Sequence, residues 1–334
     1  AQQVYYPLQM KAVRFDSFGG PEVLYVGEAE QPRPGPGEVL VRVHATALNR
    51  ADTLQRKGLY PPPPGESSIL GLEMAGEVVE TGPGAEKWKA GDAVCGLLGG
   101  GGYAEYAVIH EDMALPVLPG WSWAQAAAVP EAFLTAWQSL QWIGALKRGE
   151  RVLIHAGASG VGSAAIQLAR ALGAEPWVTA SASKHGFCRQ LGAVGCIDYQ
   201  TEDFSALLDA SLPRGGVDVL LDCIGAPYLH KNLQVLRADG RMVLLAMMGG
   251  ALAESLDLRL VLGKRLNLHG STLRNRSREY KVRLTRDLHA FAWPRFAEGT
   301  LHPVLDVSFP IEEAAQAHQY MEENRNTGKI ALLV

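Results

Sequence analysis

A glycine-rich turn carries the strongest chemical signal in this chain. Its glycines are Gly157, Gly160 and Gly162; a short apolar run, residues 152–154, precedes them and an amphipathic segment, residues 164–172, follows. The first two glycines would let the backbone turn sharply, and Gly162 would let a helix approach a strand closely. The free amides at the helix start, helped by the helix dipole, would face a diphosphate. The pattern predicts the phosphate-binding half of a Rossmann unit, and thus a dinucleotide site.

Ser159 departs from the common form of this turn, which has its middle glycine there. A serine fits only if its backbone avoids positive φ, so we expect a variant loop that still binds the diphosphate. The alternative is a tight strand-to-helix turn without a ligand.

The residues after the second strand of the unit indicate which nucleotide binds. An NAD site usually offers Asp or Glu there, to hold the ribose 2′-hydroxyl. Here residues 177–180 lead into Ser181, Ser183 and Lys184, with no acid among them. Hydroxyls and an ammonium would attract a 2′-phosphate, whereas a carboxylate would repel it. The sequence therefore predicts NADPH, although Lys184 could also be an ordinary exposed lysine in the next helix.

The elements that would position this site alternate along the chain. Further strands are predicted at residues 195–199, 217–224 and 240–247, with helical segments between them. Such alternation is typical of an α/β fold with a doubly wound parallel sheet, which binds ligands at the carboxyl ends of its strands. We expect residues 240–247 to form the edge strand, whose pairing with a second copy would give a dimer.

The first third of the chain has a different pattern of predicted secondary structure. Short strands separated by Pro/Gly turns are predicted at residues 11–15, 38–44, 76–80, 90–96 and 103–108. They indicate a β-barrel-like domain. Residues 274–289 are basic and predicted to be helical, and the chain is expected to end in a strand, residues 329–334. Residues 1–9 lack periodicity and are interpreted as an extension or a tag remnant.

The composition limits the possible classes of protein. A length of 334 residues predicts two domains, and a hydrophobic content of 47% supports large cores. The net charge of −4 does not favour nucleic acid as a partner. No apolar run is long enough to cross a membrane. The four cysteines form neither a CxxC pair nor a disulfide framework, so a reducing compartment, by default the cytoplasm, is expected.

Several segments together resemble a known superfamily. They are residues 34–43, 47–52, 70–76 and 328–330. On them the chain resembles the medium-chain dehydrogenases/reductases from about Met10 to its end. Within that superfamily it is similar to the zinc-free quinone oxidoreductases, through residues 48–52, 60–65, 129–135 and 155–162.

The resemblance implies a domain organisation and an assembly. A GroES-like β-barrel catalytic domain would comprise residues 10–132 and 272–334, and a Rossmann NADPH-binding domain, residues 133–271, would be inserted in it. The resemblance also favours a homodimer.

The residues at the expected metal position argue against zinc. Zinc alcohol dehydrogenases of the superfamily carry a Cys where this chain has Asn49, and a His where it has Leu72, before the retained Glu73. Leucine cannot ligate, and catalytic zinc needs three protein ligands. The structural four-cysteine lobe is missing too, since Cys95 stands alone in that region. We therefore expect no metal.

Without a Lewis acid, the hydride acceptor must already be electrophilic, as a quinone or a conjugated enone is. The resemblance implies that Asn49 and Asp52 lie near the nicotinamide and substrate, and that Thr135 lies close to the nicotinamide. Tyr60 would line the substrate pocket, where it could stack on a quinone or donate a proton. The alternative is that Tyr60 only packs within its loop.

The resemblance also implies a set of cofactor contacts. The diphosphate would lie on the turn that contains Gly157, Ser159, Gly160, Val161 and Gly162. The 2′-phosphate and adenine would meet Ser181, Ser183, Lys184 and Tyr199. The nicotinamide half would be lined by Cys223, Ile224, Gly225, Met247, Met248 and Gly249, with Arg325 reaching the cofactor from the C-terminal segment.

The prediction is thus an NADPH-dependent quinone oxidoreductase that acts on quinones such as ortho-quinones, by hydride or stepwise electron transfer. One alternative is an NADPH-dependent 2-enoyl thioester or enone reductase. Another is a non-enzymatic crystallin-like or RNA-binding protein. A basic run that RNA or an anionic ligand could use is interpreted as a mostly solvated helix face; it contains Arg274, Arg276, Arg278, Lys281, Arg283 and Arg286.

Overall fold

The computed structural model describes residues 8–212 and 215–334, which divide into two compact units. The first unit contains the chain up to Glu131 together with Arg274–Val334. The second unit, Ala132–Leu273, is inserted between those two segments. Of the expected extension, residues 1–7 lie outside the described residues, and Gln9 already begins the first strand.

The first unit starts with short strands and two helices. In chain order they are β1 (Gln9–Arg14), β2 (Tyr25–Glu30), β3 (Glu38–Ala47), α1 (Arg50–Arg56), β4 (Glu73–Thr81), β5 (Ala93–Leu97), β6 (Tyr106–His110), β7 (Ala114–Pro116) and α2 (Trp123–Ala127). A third helix, α3 (Pro130–Trp137), carries the chain into the second unit and continues as a π-helical turn, Gln138–Ile143.

Strands and helices alternate through the second unit. They are β8 (Arg151–Ile154), α4 (Gly160–Ala171), β9 (Glu175–Ala180), α5 (His185–Leu191), β10 (Gly195–Asp198), α6 (Phe204–Ser211), β11 (Val217–Asp222), α7 (Leu229–Val235), β12 (Leu236–Leu244), α8 (Leu258–Lys264) and β13 (Asn267–Gly270). The chain then completes the first unit with α9 (Arg278–Glu298), β14 (Leu305–Pro310), α10 (Ala314–Glu322) and β15 (Lys329–Leu333).

The second unit is built on a six-stranded sheet in the order β10-β9-β8-β11-β12-β13. All neighbouring strands are parallel. The chain moves outward from β8 in one direction and then resumes at β11 on the other side, so the strand order reverses between them. This is the doubly wound Rossmann arrangement, whose ligand crevice lies at the carboxyl ends of the strands where the order reverses. The predicted fold of this unit is confirmed.

The edge of this sheet was predicted wrongly. The expected edge strand, residues 240–247, falls mainly in β12, which lies between β11 and β13. The true edge is β13, whose four residues are all exposed. Its sequence, Asn-Leu-His-Gly, contains only one residue with a strong apolar side chain, so periodicity gave no strand signal there.

The burial of the central strands in the second unit explains why their sequences are continuous apolar runs. Val152, Leu153 and Ile154 of β8 are at most 2% exposed, because helices cover a parallel sheet on both faces. Leu153 and Leu220 pack in one cluster with residues from α6 and α7.

The first unit contains a mostly antiparallel sheet in the order β14-β15-β3-β4-β5-β7, with β6 also paired to β3. The C-terminal strand β15 pairs with β3, Ala331 opposite Ala47, so the two sequence segments of this unit share one sheet. A separate hairpin joins β1 and β2. The sequence did not reveal β2 or α1. The basic helix begins later than predicted, since α9 starts at Arg278 after its capping residue Ser277.

No helix in the described ranges is both long enough and apolar enough to cross a membrane.

Candidate functional site

The turn between β8 and α4 has the form that its sequence requires, with one difference. Ser159 has φ −72° and ψ 172°, so it lies in extended backbone as expected. The left-handed residue of the turn is Ala156, with φ +54°. The expectation that the freedom of Gly157 and Gly160 makes the sharp turn is therefore wrong, because neither has a positive φ.

Two of the glycines are needed for close packing instead. A Cβ atom on Gly157 would lie 2.5 Å from Cβ of Val178 in β9. A Cβ atom on Gly162 would lie 2.3 Å from the carbonyl oxygen of Ala156. Both distances are far below van der Waals contact. The missing side chain of Gly157 lets the turn pack against β9, whereas that of Gly162 lets the start of α4 approach the backbone of the turn rather than the strand that was expected.

Ser159 caps α4. Its Oγ accepts a hydrogen bond of 3.0 Å from the amide of Gly162, so the protein itself satisfies that amide. In a helix the first amides have no intrahelical partner. The amides of Gly160 and Val161 have none in the described part of the chain and are half-buried. They form, with the helix dipole, a cradle that fits a diphosphate.

Four predicted residues follow the carboxyl ends of β9 and β10, at one edge of the sheet. Ala180 and Asp198 are register partners, so Ser181 and Tyr199, which follow them, lie next to each other. Ser181 starts a single 3-10 turn, Ala182–Lys184, in which Ser183 is exposed and Lys184 half-buried. Tyr199 is 47% exposed. No acidic side chain occurs between Ala180 and Lys184.

The loops after β11 and β12 are joined by hydrogen bonds. The amide of Met248 donates to the carbonyl of Cys223 at 3.0 Å, and that of Gly249 to Ile224 at 2.8 Å. The loops therefore bring the predicted nicotinamide segments together. Gly225 takes φ +88°, where a side chain would be strained.

His155, directly after β8, is a structural residue. It is 3% exposed, and its ring nitrogens are hydrogen-bonded to Thr179 Oγ1 at 3.0 Å and Asn232 Oδ1 at 2.7 Å. Burial lowers the pKa of His155 to about 4, so the ring is neutral near pH 7.

In the first unit, a buried ammonium joins two of the residues that the sequence singled out. Lys329, 4% exposed, contacts Glu73 Oε1 at 2.7 Å and Asn49 Oδ1 at 2.6 Å, and donates to the carbonyl of Leu48. Asn49 Nδ2 donates to the same Glu73 oxygen at 2.9 Å. The other Glu73 oxygen accepts from the amide of Glu131. The Asn49 side chain is thus oriented from both ends by an ion pair.

Asp52 anchors the start of α1. Its Oδ2 accepts from the amide of Asn49 at 2.8 Å and from the hydroxyl of Tyr103 at 3.0 Å. It is 1% exposed, and burial raises its pKa to about 6. These contacts explain why an aspartate is present, and its proximity to a ligand stays a prediction.

The hydrogen bonds continue beyond Tyr103 in a fixed direction. Arg56 can only donate, so its Nη1 donates to His318 Nδ1 at 2.8 Å. His318 must then carry its proton on Nε2, which lies 3.0 Å from the Tyr103 oxygen. Burial lowers the pKa of His318 to about 3 and keeps this neutral tautomer. Arg56 is balanced by Glu322, at 2.9 Å.

The structure also gives the surroundings of three further predicted site residues, Tyr60, Thr135 and Arg325. Tyr60 is half-buried, with the Arg274 guanidinium carbon 5.4 Å from its ring centroid. Thr135 is half-buried in α3. Arg325 belongs to the first unit, where it lies over the Tyr320 ring and 3.6 Å from Glu323.

Sequence reasoning missed several residues of the buried network. They are Arg56, Tyr103, His318 and Lys329. Lys329 lies in residues 328–330, one of the segments that resemble the superfamily. A single lysine at the start of a strand does not, however, indicate that its side chain is buried. The available signal was the retained Glu73, since a buried carboxylate needs a cation.

We expect Lys329→Met to destabilise the first unit strongly. Glu73, fully buried, would lose its cation, and breaking a buried ion pair costs about 3–5 kcal/mol in the free energy of unfolding. Urea unfolding at pH 7 measures this. Adding Glu73→Gln should recover part of the loss. Arg259→Met, which removes an ion pair whose arginine is 92% exposed, should leave the free energy of unfolding nearly unchanged. A similarly small effect of Lys329→Met would contradict the role given to the buried pair.

Comparison with known families agrees with this architecture. The alcohol dehydrogenase GroES-like domain family matches residues 35–119. The zinc-binding dehydrogenase family matches residues 191–332.

Relatives fall into two groups. The quinone oxidoreductase of Sus scrofa is 31% identical over 97% of this chain and 98% of its own length. Polyketide synthase GfsB of Streptomyces halstedii is 35% identical over 89% of this chain, which spans only 5% of that protein. Among solved structures, the CurK enoyl reductase has a TM-score of 0.85 and 29% identity, over 97% of this chain and 99% of that chain.

The likeness to the quinone oxidoreductase extends over nearly the whole of both chains, and the two folds found here are those of its superfamily. The chain therefore belongs to the quinone oxidoreductase-like medium-chain dehydrogenases/reductases.

Proposed function

We propose that this protein is an NADPH-dependent quinone oxidoreductase that works without a catalytic zinc ion. The observation that supports this proposal most directly is the position of the Lys329 ammonium group. Its ammonium lies on Glu73 and Asn49, at 2.7 and 2.6 Å, beside the position where zinc enzymes of the superfamily have a cysteine ligand. A divalent cation at this place would meet an ammonium of the same sign.

The donor set supports the same conclusion. Leu72, 4% exposed, offers no ligand atom, and an amide replaces the thiolate at Asn49. Burial raises the pKa of the Cys95 thiol, which opposes the thiolate that a metal requires. Within residues 8–212 and 215–334, no group of three or more His, Cys, Asp or Glu side chains could hold a metal ion. These residues do not fit zinc.

An acceptor that needs no Lewis acid is already electrophilic. Quinones, including ortho-quinones, and enones satisfy this condition. Bound NADPH would supply the hydride. The chain would orient the acceptor, exclude water and donate hydrogen bonds to the oxygen that gains charge. Asn49, Asp52 and Thr135 are proposed to lie at this site.

The residues around the Rossmann turn support NADPH as the reductant. The cradle at Gly160 and Val161 fits a diphosphate, and the edge with Ser181, Lys184 and Tyr199 offers hydroxyls and a cation. No carboxylate follows β9, and that of Asp198 at the end of β10 accepts hydrogen bonds from the Gln200 amide and the Thr201 hydroxyl. A 2′-phosphate suits such an edge. The remaining proposed contacts are Gly157, Ser159, Gly162, Ser183, Cys223, Ile224, Gly225, Met247, Met248, Gly249 and Arg325. Since Cys95, Cys188, Cys196 and Cys223 are free thiols, we also propose that the protein works in the cytoplasm.

A 2-enoyl thioester reductase is the second candidate. The likeness to the CurK enoyl reductase and to polyketide synthase GfsB favours it. Hydride addition to an alkene conjugated with a thioester needs the same metal-free chemistry, so the acceptor is what distinguishes the two functions.

We expect the purified protein to oxidise NADPH in preference to NADH with 1,2-naphthoquinone, and to do so equally with EDTA present. Lys184→Glu should raise KM for NADPH by about tenfold or more, since a carboxylate repels the 2′-phosphate. The exposed Lys147→Glu is the matched control and should leave KM unchanged. Steady-state kinetics measure each effect.

Other outcomes of this assay would change the assignment. Turnover with crotonyl-CoA but not with the quinone would favour the enoyl reductase. A preference for NADH would overturn the cofactor proposal, and loss of activity with EDTA would overturn the zinc-free proposal.

Tyr60 is proposed to donate a proton to the reduced oxygen. Burial raises the pKa of its phenol, so the proton is present at pH 7. Tyr60→Phe should lower kcat by about 10²-fold, the usual contribution of a general acid, without changing the Kd for NADPH. Turnover at the wild-type rate would exclude proton donation. If only Tyr60→Ala then lost activity, stacking on the acceptor would be the remaining role.

We propose that the protein forms a homodimer through β13. The strand is an exposed sheet edge, and Leu268 at its centre is 39% exposed. Antiparallel pairing of two such edges would satisfy their backbone groups and is symmetric. Light scattering after gel filtration should give twice the chain mass, and Leu268→Lys should shift the equilibrium towards monomer. A wild-type monomer at micromolar concentration would refute the proposal.

A further inference from the structure

Arg274 is a buried arginine with a rigidly held side chain. It is 5% exposed, its Nε donates to the carbonyl of Gly99 at 2.8 Å, and its Nη2 donates to Gln55 Oε1 at 2.9 Å. Gln55, on α1, is 4% exposed and is itself fixed by the carbonyl of Ser68, to which its Nε2 donates at 3.0 Å. Two hydrogen bonds to anchored acceptors therefore determine where the third guanidinium nitrogen lies.

That third nitrogen, Nη1, is buried and has no hydrogen-bond partner. A buried donor left without an acceptor costs about 1–3 kcal/mol, and more when it is charged. Proteins rarely retain such a group unless a ligand or a mechanism uses it. The position of Nη1 thus calls for an oxygen that the described protein does not supply.

A second buried cation strengthens the argument. Lys281, on α9, is 7% exposed and donates through Nζ to the carbonyl of Arg274 at 2.6 Å. Burial lowers the pKa of both groups, and the Glu66 carboxylate opposes this only from beyond ion-pair distance in the described ranges of the chain. Charged side chains are almost never buried without a counter-charge. The place beside them is therefore favourable for negative charge.

Tyr60 connects this positive region to the proposed acceptor site. The Arg274 guanidinium lies over its half-buried ring, with 5.4 Å between the guanidinium carbon and the ring centroid. Tyr60, the residue proposed to contact the acceptor, is therefore a direct neighbour of the guanidinium that carries the unpartnered Nη1. The basic run of the sequence is thus divided: Arg274 and Lys281 are buried, whereas Arg276, Arg278, Arg283 and Arg286 are exposed, so the prediction of a solvated face is wrong for the first two.

We propose that Nη1 of Arg274 binds the carbonyl oxygen of the acceptor and stabilises the negative charge that this oxygen gains during reduction. The proposal rests on the proposed function. As a hydride adds to the acceptor, the carbonyl π-electron pair moves onto the oxygen and leaves an oxyanion; the acceptor is reduced by two electrons and the nicotinamide is oxidised. A proton from Tyr60 or water then completes the product.

Kinetics of three variants test this role. Arg274→Met should lower kcat/KM for 1,2-naphthoquinone by about 10²-fold, as removal of one oxyanion donor does, while the Kd for NADPH stays unchanged. Arg274→Lys keeps the charge without the fixed fork, so we expect a smaller loss of about tenfold. Arg276→Met, two residues away and exposed, is the matched control and should equal wild type. Melting temperatures establish which variants are folded.

An equilibrium measurement makes the result independent of turnover. The probes are 4-nitrophenolate, an aromatic oxyanion, and neutral 4-nitroanisole, with tryptophan quenching as the readout. Wild type and Arg276→Met should prefer the phenolate, and Arg274→Met should lose that preference. Such a result would support the site even if the wild type reduces no quinone, in which case only the proposed function fails. Equal binding of both probes by the wild type, or full quinone activity in folded Arg274→Met, would overturn the inference.

Discussion

The ion pair between Lys329 and Glu73 holds together the part of the first unit where the chemistry is proposed. Both charges are buried, and the ammonium also orients Asn49 and the end of β3 through the carbonyl of Leu48. A buried pair of this kind stabilises little compared with apolar packing, but losing one partner is costly. The constraint therefore specifies an arrangement: β15 can pair with β3 only where the lysine reaches the carboxylate.

The same network supplies a positive charge beside Glu73 from within the chain, as the Lys329 ammonium. Asp52, Tyr103, His318 and Arg56 extend the order by hydrogen bonds whose direction the arginine determines. In contrast, Arg274 and Lys281 are buried without a directly paired carboxylate in the described part of the chain, and Nη1 of Arg274 has no hydrogen-bond partner. One group of buried charges is complete in itself, and the other is completed by the oxygen of a reduced acceptor in the proposal made above.

In the second unit the sequence was informative because the constraints are local. A strand, a turn of small residues and a helix require specific residue types within a short stretch of sequence. The extended backbone of Ser159 could be predicted because serine, unlike glycine, rarely adopts a positive φ. Even there, the left-handed conformation fell on Ala156 and not on a glycine, and two of the glycines are needed for close packing instead. The edge strand was misplaced because β13 has four residues of mixed type and becomes a strand only by pairing with β12.

By itself the sequence determined the alternation of strands and helices, the doubly wound sheet, the absence of an acid after β9 and the replacement of two zinc ligands. Each of these depends on residue type, or on spacing within a segment. The tertiary structure alone decided that Lys329 meets Glu73, that His318 and Tyr103 orient Asp52, and that Arg274 is buried with an unpaired nitrogen. The contacts of Lys329 reach residues as many as 281 positions away, at the carbonyl of Leu48. The sequence shows which side chains can carry a charge. Their burial and their contact partners are determined only by the folded structure.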